Sequence, residues 1–442
     1  KIWFNTALLK EKSAACTMVC CYIEELVEGY YPFADTTFDI MSNLINFIYN
    51  QGVRSACSTA MPLILRCIKG HFTKSNMDPS EKLLQFYKIV FDKFSEALKT
   101  EVDVPALSTE LDSLGQCIDI LGPLWYQPNY AASIMETYKS LIDDLNFRRS
   151  DRLAQINDQD CDTEEKERLR QETEDDSFVL ISIEELMTKA LKNAKEQFVA
   201  PYEQFFQDFL HFMDPTYLPC EINAALCACM DLIDAAPEIA QKYFETINST
   251  VLNLCTCNVA TLRQTSSYGV GLLALTYPHL FAPYLPSALE KLYHVLTSED
   301  ARSPEFEAAS ENATTAIGRV LESKPELIAQ HPNLVSLWLN FMPILSDKSE
   351  VPVACRQLWF FYTTAGPILM GENFENLTKI LLIIATYIQD GLVPPNVEQT
   401  LRSMVLHIIQ SVPGNLVAMA FDNIPDERAK AALMSLSSGG GQ

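Results

Sequence analysis

The sequence has no apolar run long enough to cross a bilayer. Runs such as Ile380 to Ala385 cover only six or seven residues, against the roughly 20 that a spanning helix needs. No Gly/Ser/Pro-rich linker divides the chain, and its first residues do not have the make-up of a signal peptide. Basic charge is scarce: 33 Lys and Arg stand against 57 Asp and Glu, a net charge of −24. A surface this acidic repels phosphate, which argues against direct nucleic-acid binding, and it attracts Lys/Arg-rich proteins. Catalytic signatures are missing too. There is no GxSxG, and Gly269-Val270-Gly271 falls inside a helical pattern, without the strand that precedes a dinucleotide fingerprint. The six His are scattered. Cys227 and Cys229, like Cys255 and Cys257, are two apart, which on a helix turns them about 200° from each other. With no His beside them they make no zinc site. No enzyme activity, cofactor or metal is expected, and no membrane contact.

What the sequence does have is one helical pattern, repeated. In Gly52 to Ile68 the residues Val53, Cys57, Ala60, Met61, Ile64, Cys67 and Ile68 form a continuous stripe at helical spacing. Leu262, Ser266, Gly269, Val270 and Leu273 return the layout, with Arg263 matching Arg54. Ala309, Ala313, Ala316, Ile317 and Val320 return it again, as do Ala15, Met18, Val19 and Tyr22. A stripe of small residues lets helix axes approach closely. Each such helix is paired with one rich in large aromatics, as Phe33 to Tyr49 is, with Phe38, Met41, Ile45 and Ile48 on one side. The period, about 40 to 47 residues with two helices, is that of HEAT or armadillo repeats. The predicted fold is all-α: a HEAT-repeat α-solenoid of about ten antiparallel helix pairs, wound as a right-handed superhelix. At 442 residues a repeat array also avoids the size at which a single core stops growing. Thirteen Cys, among them Cys16, Cys20, Cys57, Cys67 and Cys355, lie mostly in the apolar stripes as small hydrophobes. That points to a reducing compartment, cytosol or nucleus. Lys1 is not an initiator Met, and the chain is expected to be cut from something longer.

The rhythm fails once. Residues 158–176 carry ten acids and three bases, with only Cys161 and Leu169 apolar. Four segments are expected: HEAT repeats over 1–149, an acidic insertion within a repeat over 150–177, HEAT repeats over 178–412, and a capping hairpin with a flexible tail over 413–442.

The stretches EKSAACTMVCCYIEEL from Glu11, GVRSACSTAMPLIL from Gly52, LRQTSSYGVGLLA from Leu262, NATTAIGRVLESKPELI from Asn312, LWLNFMPILSDKSEV from Leu337 and ILMGENFENLTKILLIIA from Ile368 resemble the importin-β superfamily (karyopherin-β) of nuclear transport receptors, in its importin-five branch. The resemblance spans nearly the whole chain and includes the acidic insertion before FVLISIEELM. It implies the C-terminal portion of a nuclear import receptor. Such a receptor wraps basic cargo on a concave face, contacts phenylalanine-glycine nucleoporins on its outer face and releases cargo to Ran-GTP. The family's main Ran site lies in N-terminal repeats, which are expected to fall outside this sequence. The receptor shuttles between cytoplasm and nucleus. A spring-like change of pitch would couple one end to the other. The alternatives are a constitutive HEAT scaffold, or a chaperone for basic proteins, neither responding to Ran.

On this reading the residues that would line a cargo surface are Asp158, Asp160, Asp162, Glu164, Glu165, Glu167, Glu172, Glu174, Asp175 and Asp176 in the insertion. Asp231, Asp234, Glu311 and Asn312 on second helices join them. An exposed ion pair contributes only ~0.2–1 kcal/mol, so many must act together. Solvated surface is the plainer expectation for each acid taken singly. Arg54 and Arg263, at the starts of second helices, are expected to bond turn carbonyls or a neighbouring acid. Phe205, Phe206, Phe209, Tyr243 and Phe244 are available for nucleoporin slots. Trp125, Trp338 and Trp359 are expected mainly in the core.

Overall fold

The computed structural model describes residues 6–158 and 161–438, and every regular element among them is helical. The fold divides into two compact units, one up to residue 240 and one from residue 241. The main helices of the first are α1 (Thr6–Leu26), α2 (Tyr31–Ser42), α3 (Gln51–Lys74), α4 (Ser80–Ala97), α5 (Val104–Leu121), α6 (Pro128–Ile156), α7 (Thr163–Ala194), α8 (Val199–Phe209) and α9 (Pro219–Ala235). Those of the second are α10 (Phe244–Leu254), α11 (Ala260–Thr276), α12 (Leu285–Thr297), α13 (Glu307–Ser323), α14 (Asn333–Phe341), α15 (Val351–Thr364), α16 (Leu377–Gln389), α17 (Pro395–Ser411), α18 (Gly414–Asp422) and α19 (Glu427–Ser438).

Within each unit, odd-numbered helices pack on odd-numbered neighbours, and even-numbered ones cover them as a second layer. This is the all-α, solenoid-type architecture of stacked hairpins. The starts of α11, α13, α15 and α17 step along the chain by 44 to 47 residues.

Local chemistry sets the helix starts. Asn50 accepts from the Val53 N–H and Asp103 from the Ala106 N–H, so α3 and α5 begin on side-chain caps. The small-residue stripe does bring axes together: a Cβ on Gly271 of α11 would lie 2.7 Å from the Ala316 Cα of α13. The even layer supplies bulk. Tyr202, Phe205, Phe206 and Phe209 of α8 have no exposed surface, and the Phe205 ring meets those of Tyr138 and Phe209 at 5.5 and 4.3 Å.

Two expectations are corrected. On α1 the buried stripe is Cys16, Cys20 and Ile23, while Met18 and Tyr22 are more than half exposed. The reason is which face meets α3: the Cys20 thiol donates to the Ala56 carbonyl. Second, α2 ends at Ser42 rather than continuing to Tyr49. Ile45 stays buried in the following turn, Ile48 is 76% exposed, and Arg54 holds the Phe47 carbonyl.

Candidate binding surface

The arginines at the starts of the odd helices tie hairpins to one another. Arg54 donates to both oxygens of Glu101 at 2.5 and 3.0 Å and to the Phe47 carbonyl at 3.2 Å. Arg263 donates to the Cys257 carbonyl at 2.8 Å and to both oxygens of Asp300 at 3.1 Å, and it lies over the Phe306 ring. The forked Arg54–Glu101 pair fixes geometry as well as charge, whereas Arg263 reaches Asp300 through Nη1 alone. Sequence alone named the arginines but not the partners, which lie 47 and 37 residues away.

The acidic segment forms the first four turns of α7, opposite the last turns of α6. Asp162 caps α7 by accepting from the Glu165 N–H at 2.8 Å, and Glu164 and Glu165 follow in the first turn, where the helix dipole favours anions. Asp158 lies exposed in the turn after α6; Asp160 is outside the described residues. Glu164, Glu165, Glu167 and Glu174 are exposed. Glu165 and Glu172 both reach Arg168, and Glu167 reaches Arg170. Asp175 accepts from Gln171.

Asp176 stands apart from these. It is 7% exposed and receives Arg148 through both oxygens at 3.0 Å and Arg152 at 2.7 Å. Arg152 also reaches Glu172 at 3.4 Å, and Arg149 pairs with Glu221 of α9 while covering the Tyr217 ring. Part of the strip's charge is therefore spent inside the fold. Asp176 clamps α7 to α6 and has no oxygen turned to a partner. The signal for this was present in Arg148, Arg149 and Arg152, but nothing in the sequence says that they fold back onto residues 20 to 72 positions away.

Glu311 and Asn312 are also corrected. From Ala309 to Leu321 every residue of α13 is buried, because helices cover it on all sides. The Glu311 carboxylate accepts from the backbone N–H groups of Leu345, Ser346 and Asp347 at 2.7 to 3.0 Å. Asn312 donates to Asp347 and to the Ala308 carbonyl. Both hold the turn before α15 and neither faces a binding surface.

Asp231 accepts from Thr188 at 2.7 Å and pairs with Lys192 at 2.9 Å, while Asp234 is exposed one turn on. Beneath them lies a residue that the sequence did not flag. Glu184 is 6% exposed; burial, reinforced by the Asp231 charge, pushes its carboxyl up to about 8.

The aromatic candidates separate by depth. Phe205, Phe206, Phe209 and Phe244 are core, so they form no nucleoporin slot; Tyr243 is half-buried. Trp125 and Trp338 are fully buried. Trp359 is half-buried and lines a groove of about 500 Å³ between α15 and α17. A second groove of about 700 Å³ opens nearby, lined by Tyr362, Met370, Phe374, His407 and Val412.

Comparison with known proteins follows this geometry. Residues 106–215 match the family model described as Importin repeat 6. The chain is 23% identical over 423 residues to the probable importin-5 homolog of Dictyostelium discoideum, covering 92% of this chain and 39% of that protein. It is 20% identical to importin subunit beta-3 of Saccharomyces cerevisiae, covering 96% and 38%. The solved structure of Kap121p bound to RanGTP superposes with a TM-score of 0.71 at 17% identity, over 96% of this chain and 37% of that one; that of Kap121p bound to Nup53p does so with 0.73. The chain spans about two fifths of the length of these relatives. Stacked hairpins, a repeat model matched over residues 106–215 and relatives aligned along nearly its whole length make this chain similar to the importin-5 branch of the importin-β superfamily.

Proposed function

We propose that this chain is a portion of a nuclear import receptor that binds Lys/Arg-rich segments of cargo non-covalently and carries out no chemistry of its own. The observation that carries the reading is the exposed acidic face on the first turns of α7, with Glu164, Glu165, Glu167 and Glu174 on a capped helix. Acids held on a formed helix, in excess over Lys166, Arg168 and Arg170, give a basic segment several simultaneous weak pairs without ordering a loop, and they steer the encounter from a distance. Asp231 and Asp234 extend the acidic surface onto α9. In this reading the receptor shuttles between cytoplasm and nucleus. Ran-GTP acts mainly through repeats outside these residues, and a nucleoporin phenylalanine enters the groove beside Met370 and Phe374. Relatives solved with RanGTP and with Nup53p support that assignment of partners.

The test uses a fluorescent lysine-rich peptide titrated into the wild-type chain and a variant with Glu164, Glu165, Glu167 and Glu174 changed to Gln. The variant should bind at least about tenfold more weakly, with a shallower salt dependence. Equal affinity and equal salt dependence would remove α7 from the contact.

A further inference from the structure

A second acidic site lies away from α7, where the turn between α2 and α3 meets the turn between α4 and α5. A pocket of about 480 Å³ opens there, lined by Asn46, Ile48, Arg54, Glu96, Glu101, Val102 and Glu110 among others. Glu110 forms its floor. Its side chain has no exposed surface, and neither carboxylate oxygen has a hydrogen-bond partner among the described residues. Asn46 Oδ1 is likewise buried and unpartnered, its Nδ2 being engaged with Glu96 at 2.9 Å. A buried acceptor left unpaired costs about 1–3 kcal/mol, more for a charged group, so three in one pocket need an account.

The unmet need is mainly for donors: apart from the one proton that Glu110 holds, the unpartnered atoms accept, and no other lining residue has a buried side-chain donor without a partner among the described residues. Arg54, the only cation in the wall, is committed to Glu101 and the Phe47 carbonyl. With Glu110 protonated, the Glu96 and Glu101 carboxylates against one guanidinium still leave the wall net negative. A bare metal ion does not fit, since no group of metal-ligating side chains comes together among the described residues. The mouth is apolar: Ile48 and Val102 are 76% and 88% exposed. An acidic floor beneath apolar lips matches a long aliphatic stem ending in a cation.

We propose that this pocket receives an arginine side chain of a bound polypeptide, its guanidinium donating in parallel to both oxygens of Glu110 and its stem lying between Ile48 and Val102. The planar fork of guanidinium matches a carboxylate floor better than ammonium does, because it offers paired donors at fixed spacing. With the pocket empty, burial and the nearby Glu101 charge push the Glu110 carboxyl up to about 8, so at neutral pH it holds its proton. Entry of the cation favours the carboxylate, and the proton leaves to solvent. Binding is therefore coupled to proton release. This inference rests on the chain being a receptor for basic polypeptides, but it uses none of the α7 residues.

The experiment is calorimetric titration at pH 7, in buffers of high and low ionisation enthalpy, of an acetylated Gly-Arg-Arg-Gly amide and of its citrulline and lysine counterparts. Wild-type chain should bind the arginine peptide with a heat that differs between buffers, bind the lysine peptide several-fold more weakly, and leave the citrulline peptide unbound. Glu110→Gln, close to isosteric with the protonated acid, should keep the melting midpoint, lose about tenfold in affinity and lose the buffer dependence. The α7 glutamine variant should keep the buffer dependence, which separates failure of this site from failure of the α7 surface. Wild-type affinity and buffer dependence in Glu110→Gln would overturn the proposal, as would equal binding of the citrulline peptide. Equal binding of the lysine peptide would overturn the assignment to guanidinium.

Discussion

Arg319 of α13 and Glu350, just before α15, form a forked ion pair at 2.8 and 2.7 Å in which both side chains are about 5% exposed. Thr315 donates to the same carboxylate, and the guanidinium lies over the Tyr268 ring of α11. The pair thus holds three successive odd helices. Removing one partner strands a buried charge, which costs about 3–5 kcal/mol. Arg319→Met and Glu350→Gln should each lower the unfolding free energy from urea titration by that much, while the double variant should recover part of the loss. A double-mutant cycle on these free energies checks this.

Gly271→Ala should be unfavourable although alanine is the better helix former. The added methyl meets the Ala316 backbone at 2.7 Å and the Arg319 stem at 3.0 Å, and overpacking of this kind costs about 1–3 kcal/mol. Gly414→Ala, with nothing within 4 Å, should be neutral or slightly stabilising. Thermal melts of the two variants side by side decide between helix propensity and packing.

Glu184 gives a pH dependence opposite in sign to that of an ordinary paired carboxylate. Its folded-state value, about 8, lies above the 4.5 of an ordinary glutamate, so the folded chain keeps a proton that the unfolded chain has released. The contribution is fully present below about 4.5 and is lost as pH rises through about 8. The groups that face it are Asp231, Glu185, Lys192, Thr188 and Tyr202. Glu184→Gln removes the titration, so its stability should fall less between pH 5 and pH 8 than that of wild type in urea titrations.

Asp162→Ala should fray the start of α7 at a cost of about 0.5–2 kcal/mol. Amide exchange should accelerate at Glu165 and its neighbours while α7 beyond Asp176, clamped by Arg148 and Arg152, stays protected.

The alternation of helices and the close approach of the odd layer were legible because small residues recur at a fixed period: Gly271 against Ala316 is that pattern in three dimensions. Which acids face outward was not legible. Glu311 and Asn312 look like surface residues in a helix that the fold then covers on every side. Asp176 looks like its neighbours until Arg148 and Arg152 close on it. Glu110 gave no signal, since its burial depends on two turns, at 43–50 and 98–103, that converge only after folding. Periodicity reports one helix; burial and pairing are properties of several.

Contact at the Ala316 backbone leaves α11 and α13 no room to slide, whereas α15 and α17 stand across a groove of about 500 Å³. Compliance within the second unit is therefore unequal. Bending within the second unit is expected at the joint around Trp359 rather than at the close-packed Gly271 joint.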